Sequence, residues 1–300
     1  MCDIPNNSPL DQLEVFWTEL SPMRAAVFAQ LAMPEGTTGW RLSGFIRGPR
    51  SQRHQTLPST VQLVDAGPGA TLLARAVVPE PSLWSPESPN IYEVTIDLQR
   101  EGQQAISVQR QLGFRSIRCS EHYLLREGKP CIPRGVLAES CDQLDLAAAR
   151  ETGAVVVLRE PDERLLQEAS QQGAYLAVRL TGDVESLRTQ LRHLSNWPAV
   201  AIAVVSAPEA AIQDLRSAAP NLILAVETSG DSPAANASSA QVRWLKADAS
   251  SAALRSACPG RTVFVCRPLA KTESLAAARA ACDILQRDLA SAGQFAGYFV

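Results

Sequence analysis

The sequence predicts a two-part protein, a β-sandwich over residues 1–120 followed by a parallel α/β barrel over residues 121–300. Three observations predict it. Residues 1–118 hold short apolar runs between turn residues and few positions at helical spacing. From about residue 124, short β-branched runs alternate with helical stretches. The strand candidates of that second half are apolar throughout, as strands covered on both faces must be.

In the first half the expected strands are 25–31, 40–46, 61–64, 70–78, 92–98 and 105–112. Tyr92, Val94, Ile96 and Leu98 alternate with Glu93, Thr95 and Asp97, the period of a strand with one wet face. A sandwich of about seven strands suits this pattern. Pro79, Pro81, Pro86 and Pro89 stiffen the approach to Tyr92 and keep it out of a central ladder. In the second half the expected strands are 132–136, 154–158, 175–179, 200–205, 222–226, 242–245, 262–266 and 295–300. Leu187, Leu191 and Leu194 share one helix face, as do Leu275, Ala278, Cys282, Leu285 and Leu289, with Gly293 as the expected stop. Ser229–Ala240, small and polar, reads as a loop. Eight strands fit a (β/α)8 barrel, but residues 124–300 are fewer than the ~250 of a typical one. The eighth strand reaches Val300 with no eighth helix, so the barrel is expected to be incomplete, with an open edge for a partner or an unusual closure to cover.

Composition narrows function. A net charge of −3 argues against a nucleic-acid footprint, which needs a basic patch. No apolar run approaches ~18 residues, so no membrane span is expected, and the first residues carry no secretory pattern. Cys2, Cys119, Cys131, Cys141, Cys258, Cys266 and Cys282 are scattered and odd in number, which fits free thiols in a reducing, cytoplasmic setting. His54, His122 and His193 lie far apart and no metal or cofactor motif occurs, so neither is expected. Cys266 beside Arg267 is a conceivable nucleophile, against the plainer reading of a buried strand cysteine.

Three segments carry a family resemblance: Leu83-Trp84-Ser85-Pro86-Glu87-Ser88-Pro89 through Tyr92, then Gly113-Phe114-Arg115, then Gly128-Lys129-Pro130 with Arg134-Gly135-Val136. In that order they resemble glycoside hydrolase family 2, the β-galactosidase, β-glucuronidase and β-mannosidase group. The resemblance implies an immunoglobulin-like sandwich followed by a TIM-type catalytic barrel, and a role in carbohydrate metabolism. It does not extend to the family's N-terminal sugar-binding domain.

Two glutamates do the chemistry of such retaining glycosidases, ~5–5.5 Å apart. The resemblance places the acid/base after strand four, where Ala207-Pro208 stands and Glu209 comes one residue late. Its plainer reading is a solvated residue in the first turn of a helix. The nucleophile position after strand seven holds Arg267, which cannot form the glycosyl ester. Glu139, Glu160, Arg179, Glu227 and Asp248 remain at strand ends, where barrel sites lie, and form the candidate binding mouth. Aromatics are only 5% of the chain, and Trp197 and Trp244 are the only tryptophans of the barrel half, so sugar-stacking platforms are scarce. Three functions follow as expectations: a pseudoenzyme binding a carbohydrate or a protein partner; an O-glycosyl hydrolase using relocated carboxylates such as Glu209 with Glu227 or Glu160; and a non-catalytic scaffold subunit.

Overall fold

The computed structural model describes residues 13–33, 36–100, 105–141, 144–228, 240–247, 262–269 and 274–300. Packing divides the chain into two units, Met1–Trp84 with Asn90–Phe114, and Ser85–Pro89 with Arg115–Val300.

The first unit contains β1 (Glu14–Thr18), β2 (Arg24–Leu31), β3 (Trp40–Arg50), β4 (Ser59–Asp65), β5 (Leu72–Pro79), β6 (Ile91–Arg100) and β7 (Ile106–Leu112). All neighbours are antiparallel, in the order β1-β2-β5-β4-β3-β6-β7. Hydrogen bonding therefore runs unbroken through one sheet, because β4 pairs with both β3 and β5. The sheet curls on itself: Val27 and Ala74 from one end share a single core with Leu42, Val94, Ile96 and Leu98 from the other. The alternation expected from Tyr92 to Leu98 is present, with these apolar residues buried and Glu93, Thr95 and Asp97 partly exposed. Sequence reading missed β1, where Phe16 on the outer face beside inward Val15 and Trp17 hides the period of two.

The second unit begins with a small antiparallel sheet, also unforeseen: β8 (Ile117–Cys119), β9 (Leu124–Arg126) and β10 (Lys129–Cys131). Strands of three residues are too short to show a period. Eight parallel strands then close a barrel in chain order: β11 (Arg134–Leu137), β12 (Val155–Arg159), β13 (Leu176–Leu180), β14 (Val200–Val205), β15 (Ile223–Thr228), β16 (Val242–Lys246), β17 (Thr262–Cys266) and β18 (Gly297–Phe299). Each lies within two residues of its expected bounds. Helices α1 (Leu146–Thr152), α2 (Glu163–Gln172), α3 (Val184–Ser195), α4 (Glu209–Ala218) and α5 (Leu275–Asp288) separate them. Asp145, Asp162, Asp183 and Ser274 cap four of these helices through side-chain oxygens that accept backbone N–H bonds. The expected loop 229–240 lies almost wholly outside the described residues.

The expected open edge is not found. β18 pairs with both β17 and β11, so the last strand is hydrogen-bonded on both sides. Helix α5 packs on β11 and β18 and beside α1, and so covers the closing strands. Its buried Ala278, Cys282 and Leu285 meet Val136, Val263, Val265, Tyr298 and Val300. Arg134 anchors it, donating to Asp283 at 2.5 Å and to Gln286 at 2.6 Å. The helix ends at Asp288, ahead of Gly293. The closure depends on two glycines. A Cβ on Gly135 would lie 2.2 Å from the Phe299 ring and 2.9 Å from the Val155 carbonyl; one on Gly297 would lie 2.7 Å from the Phe264 ring. Gly135→Ala should therefore destabilise the protein by about 2 kcal/mol or more through overpacking against ring and backbone, read as a lower denaturant midpoint.

The lower end of the barrel, where the strands begin, is held by polar contacts. Thr262, the first residue of β17, donates to the Ser120 carbonyl at 2.6 Å. Leu124, Ile117, Cys119 and Cys131 of the small sheet pack on the barrel's interior core. Arg115 is buried and ties together the segments leading into β14 and β15: its guanidinium donates to the carbonyls of Pro198 (2.6 Å), Asn221 (3.0 Å), Trp197 (3.4 Å) and Val200. Burial lowers its pKa to about 10, with Tyr175 opposing that shift, so the cation persists at neutral pH. The Glu87 carboxyl sits nearby in the chain's tight Ser85–Ser88 turn and pairs with Arg126 at 3.3 Å. Partial burial would raise it, yet hydrogen bonds from its own backbone and Ser85, with the Arg126 charge, hold it below the usual range. Arg115→Lys should lower the unfolding midpoint nearly as far as Arg115→Met, because a single ammonium cannot reproduce a fork over four carbonyls; a loss of about 2–4 kcal/mol is expected in either variant.

Candidate functional site

The upper end of the barrel, where the strands finish, is built by strand phase. The interior core contains Val155 and Val157 of β12, Ala177 of β13, Ile223 and Ala225 of β15, Val242 and Trp244 of β16, and Phe264 and Cys266 of β17. Stepping on by two places Arg159, Arg179, Glu227 and Lys246 on the inward phase at the mouth, with Cys266 beneath them. Register links them around the rim. Arg159 is the strand partner of Arg179, and Lys246 of Cys266. Arg179 reaches past β14 to form an ion pair with Glu227, both side chains about one-quarter exposed.

Of the expected mouth residues, the structure joins two, Arg179 and Glu227. Glu139 lies beyond the end of β11 and is exposed. Glu160 is exposed and falls out of phase with inward Arg159; its φ of 48° marks the chain turning away from β12. Glu209 opens α4 and is exposed, the position its plainer reading gave it. Arg267 is outward, one past inward Cys266, and pairs with Asp288 of α5 at 2.7 Å. It therefore neither occupies the mouth nor addresses the Cys266 thiol. Asp248 lies outside the described residues. Arg159 and Lys246 are not among the expected mouth residues; counting by two from the buried strand residues finds both.

The centre of the barrel is apolar and aromatic. Trp244, Phe264 and Phe299 pack with ring centroids 4.4–6.2 Å apart and are buried. Trp244 is thus core filling and no exposed platform for a sugar ring. Burial pushes the Cys266 thiol up to about 12; Arg179 and Lys246 pull it down and Glu227 pushes it up, but burial prevails. A neutral buried thiol is a poor nucleophile. Among the described inward-phase strand residues Glu227 is the only carboxylate, and no group of three or more His, Cys, Asp or Glu able to hold a metal occurs among the described residues. The mouth can bind anions and hydroxyls through its cations and Glu227. Peptide-mapped iodoacetamide labelling at mildly alkaline pH should leave Cys266 unmodified in the folded protein and label it fully in denaturant.

The fold is a curled antiparallel sheet followed by a closed eight-stranded parallel barrel with a polar mouth at its strand ends. Residues 42–115 match the glycosyl hydrolases family 2, so the chain carries that family's signature over this segment. The fold agrees. A β-glucuronidase of Bacteroides uniformis superposes with a TM-score of 0.67 at 15% identity, covering 96% of this chain and 45% of that one. A family 2 glycosyl hydrolase of Bacteroides cellulosilyticus gives 0.67 at 14% identity, with 96% and 45% covered. A β-galactosidase described as putative, from Bacteroides fragilis, gives 0.61 at 16%, with 96% and 54% covered. The chain spans about half the length of these structures.

Proposed function

We propose that this chain is a glycoside hydrolase family 2-like protein of carbohydrate metabolism that binds a carbohydrate at its barrel mouth without hydrolysing it. The two units are, on this reading, an immunoglobulin-like sandwich and a TIM-type barrel. One observation carries the proposal: Glu227 is the only inward-phase carboxylate among the described strand residues, and Arg179 engages it. Retaining hydrolysis needs two carboxyl groups ~5–5.5 Å apart, one free to attack carbon. A carboxylate held in an ion pair instead serves as a hydrogen-bond acceptor for sugar hydroxyls. Free thiols at all five described cysteines support a reducing, cytoplasmic setting.

The test is a thermal-shift screen of the full chain against monosaccharides, uronic acids and aryl β-glycosides, with aglycone release followed in the same wells. A raised melting temperature without release is the expected outcome. Release that disappears in Glu209→Gln or Glu227→Gln would show that hydrolysis survives and would overturn the reading.

A further inference from the structure

In the first unit, the outer face of β4, β3, β6 and β7 carries a chemistry that the fold does not use. Leu42, Ile46, Leu63, Val94, Ile96 and Leu98 point into the core, so the alternate residues of the same strands point away from it. Register lines four of these up in one row: Gln62 beside Phe45, Phe45 beside Thr95, and Thr95 beside Gln109. At ~4.8 Å between neighbouring strands, the row is ~14 Å long. It crosses the strands at their middles. Phe45 is partly exposed and stands outside the unit's core, while Gln62 and Gln109 at the two ends are exposed. The described residues supply no hydrogen bond to the side chains of Gln62, Thr95 or Gln109. The row holds no charge, and Glu93 in the next row is engaged by Arg50 at 2.7 Å.

A ring flanked by amides matches a neutral glycan. A pyranose has an apolar C–H face, which packs on an aromatic side chain as other apolar surface does. Its hydroxyls both donate and accept, as do a glutamine amide and a threonine hydroxyl. An ionic ligand meets no counter-charge in the row. An apolar peptide would leave both amides and the hydroxyl desolvated without partners. The length of the row suits several linked sugars rather than one. We propose that this face is a second glycan site, separate from the barrel mouth, where a neutral oligosaccharide lies across the strands with one ring on Phe45 and hydroxyls on Gln62, Thr95 and Gln109. The site belongs to the first unit and does not rest on the reading of the mouth.

The experiment titrates the full chain by calorimetry with glucose, cellohexaose, xylohexaose, laminarihexaose and mannohexaose, and repeats the series with Phe45→Ala, Phe45→Tyr and Gln62→Ala/Gln109→Ala. These side chains lie outside the core, so the variants should keep the wild-type melting temperature. At least one hexasaccharide should bind about 10-fold or more tightly than glucose. Phe45→Ala and Gln62→Ala/Gln109→Ala should each lose that advantage, and Phe45→Tyr, which keeps the ring, should retain it. Wild-type affinity for the hexasaccharide in both Phe45→Ala and the double glutamine variant overturns the assignment to this face. Binding of no hexasaccharide more tightly than glucose overturns the oligosaccharide. Neither failure touches the barrel mouth, whose own test is the monosaccharide thermal shift, so the two readings fail separately.

Discussion

The closure of the barrel between β18 and β11 is the constraint on which the second unit depends. Eight strands form a mouth only if the last returns to the first, and here a three-residue strand does so. The space comes from Gly135 and Gly297, whose missing side chains admit the rings of Phe299 and Phe264. Those rings fill the centre together with Trp244. Helix α5 then seals the outside, its Cys282 thiol donating to the Gly135 carbonyl at 3.3 Å and Arg134 fixing its last turns. Aromatic mass that an open-centred site would present to a ligand is spent inside the barrel on holding it shut.

The segments that resemble the family turn out to be structural. Trp84 is buried, and its N–H donates to the Phe114 carbonyl at 2.7 Å. Arg115 binds backbone carbonyls and, among the described residues, no carboxylate, so it works as a fixed cation that gathers the ends of two loops. Such residues are constrained by the fold whatever the mouth does.

At the mouth, strand phase decides which residues matter. Cys266 and Arg267 are neighbours in sequence, yet the first belongs to the barrel interior and the second to its outer surface with Asp288. The same alternation separates Arg159 from Glu160. Among the described residues, what results is a rim of Arg159, Arg179 and Lys246 around Glu227, above an apolar floor.

Much of this was legible in the chain. The alternation from Tyr92 to Leu98, the apolar runs of eight parallel strands and the leucines of α3 follow from periods of two and 3.6, which are local properties of the backbone. Strands β8, β9 and β10 were not legible, being too short to carry a period. Nor was the use of one helix to cover the closing strands, which depends on residues 149 positions apart meeting at Arg134 and Asp283. The sequence by itself determined the eight barrel strands, most of the first-half strands, their order and the residue types at the strand ends. Only the tertiary structure decided that the barrel closes without an open edge, and that Arg159 and Lys246 join Arg179 while Arg267 leaves. Both outcomes depend on side-chain phase and long-range packing, which local propensity does not encode.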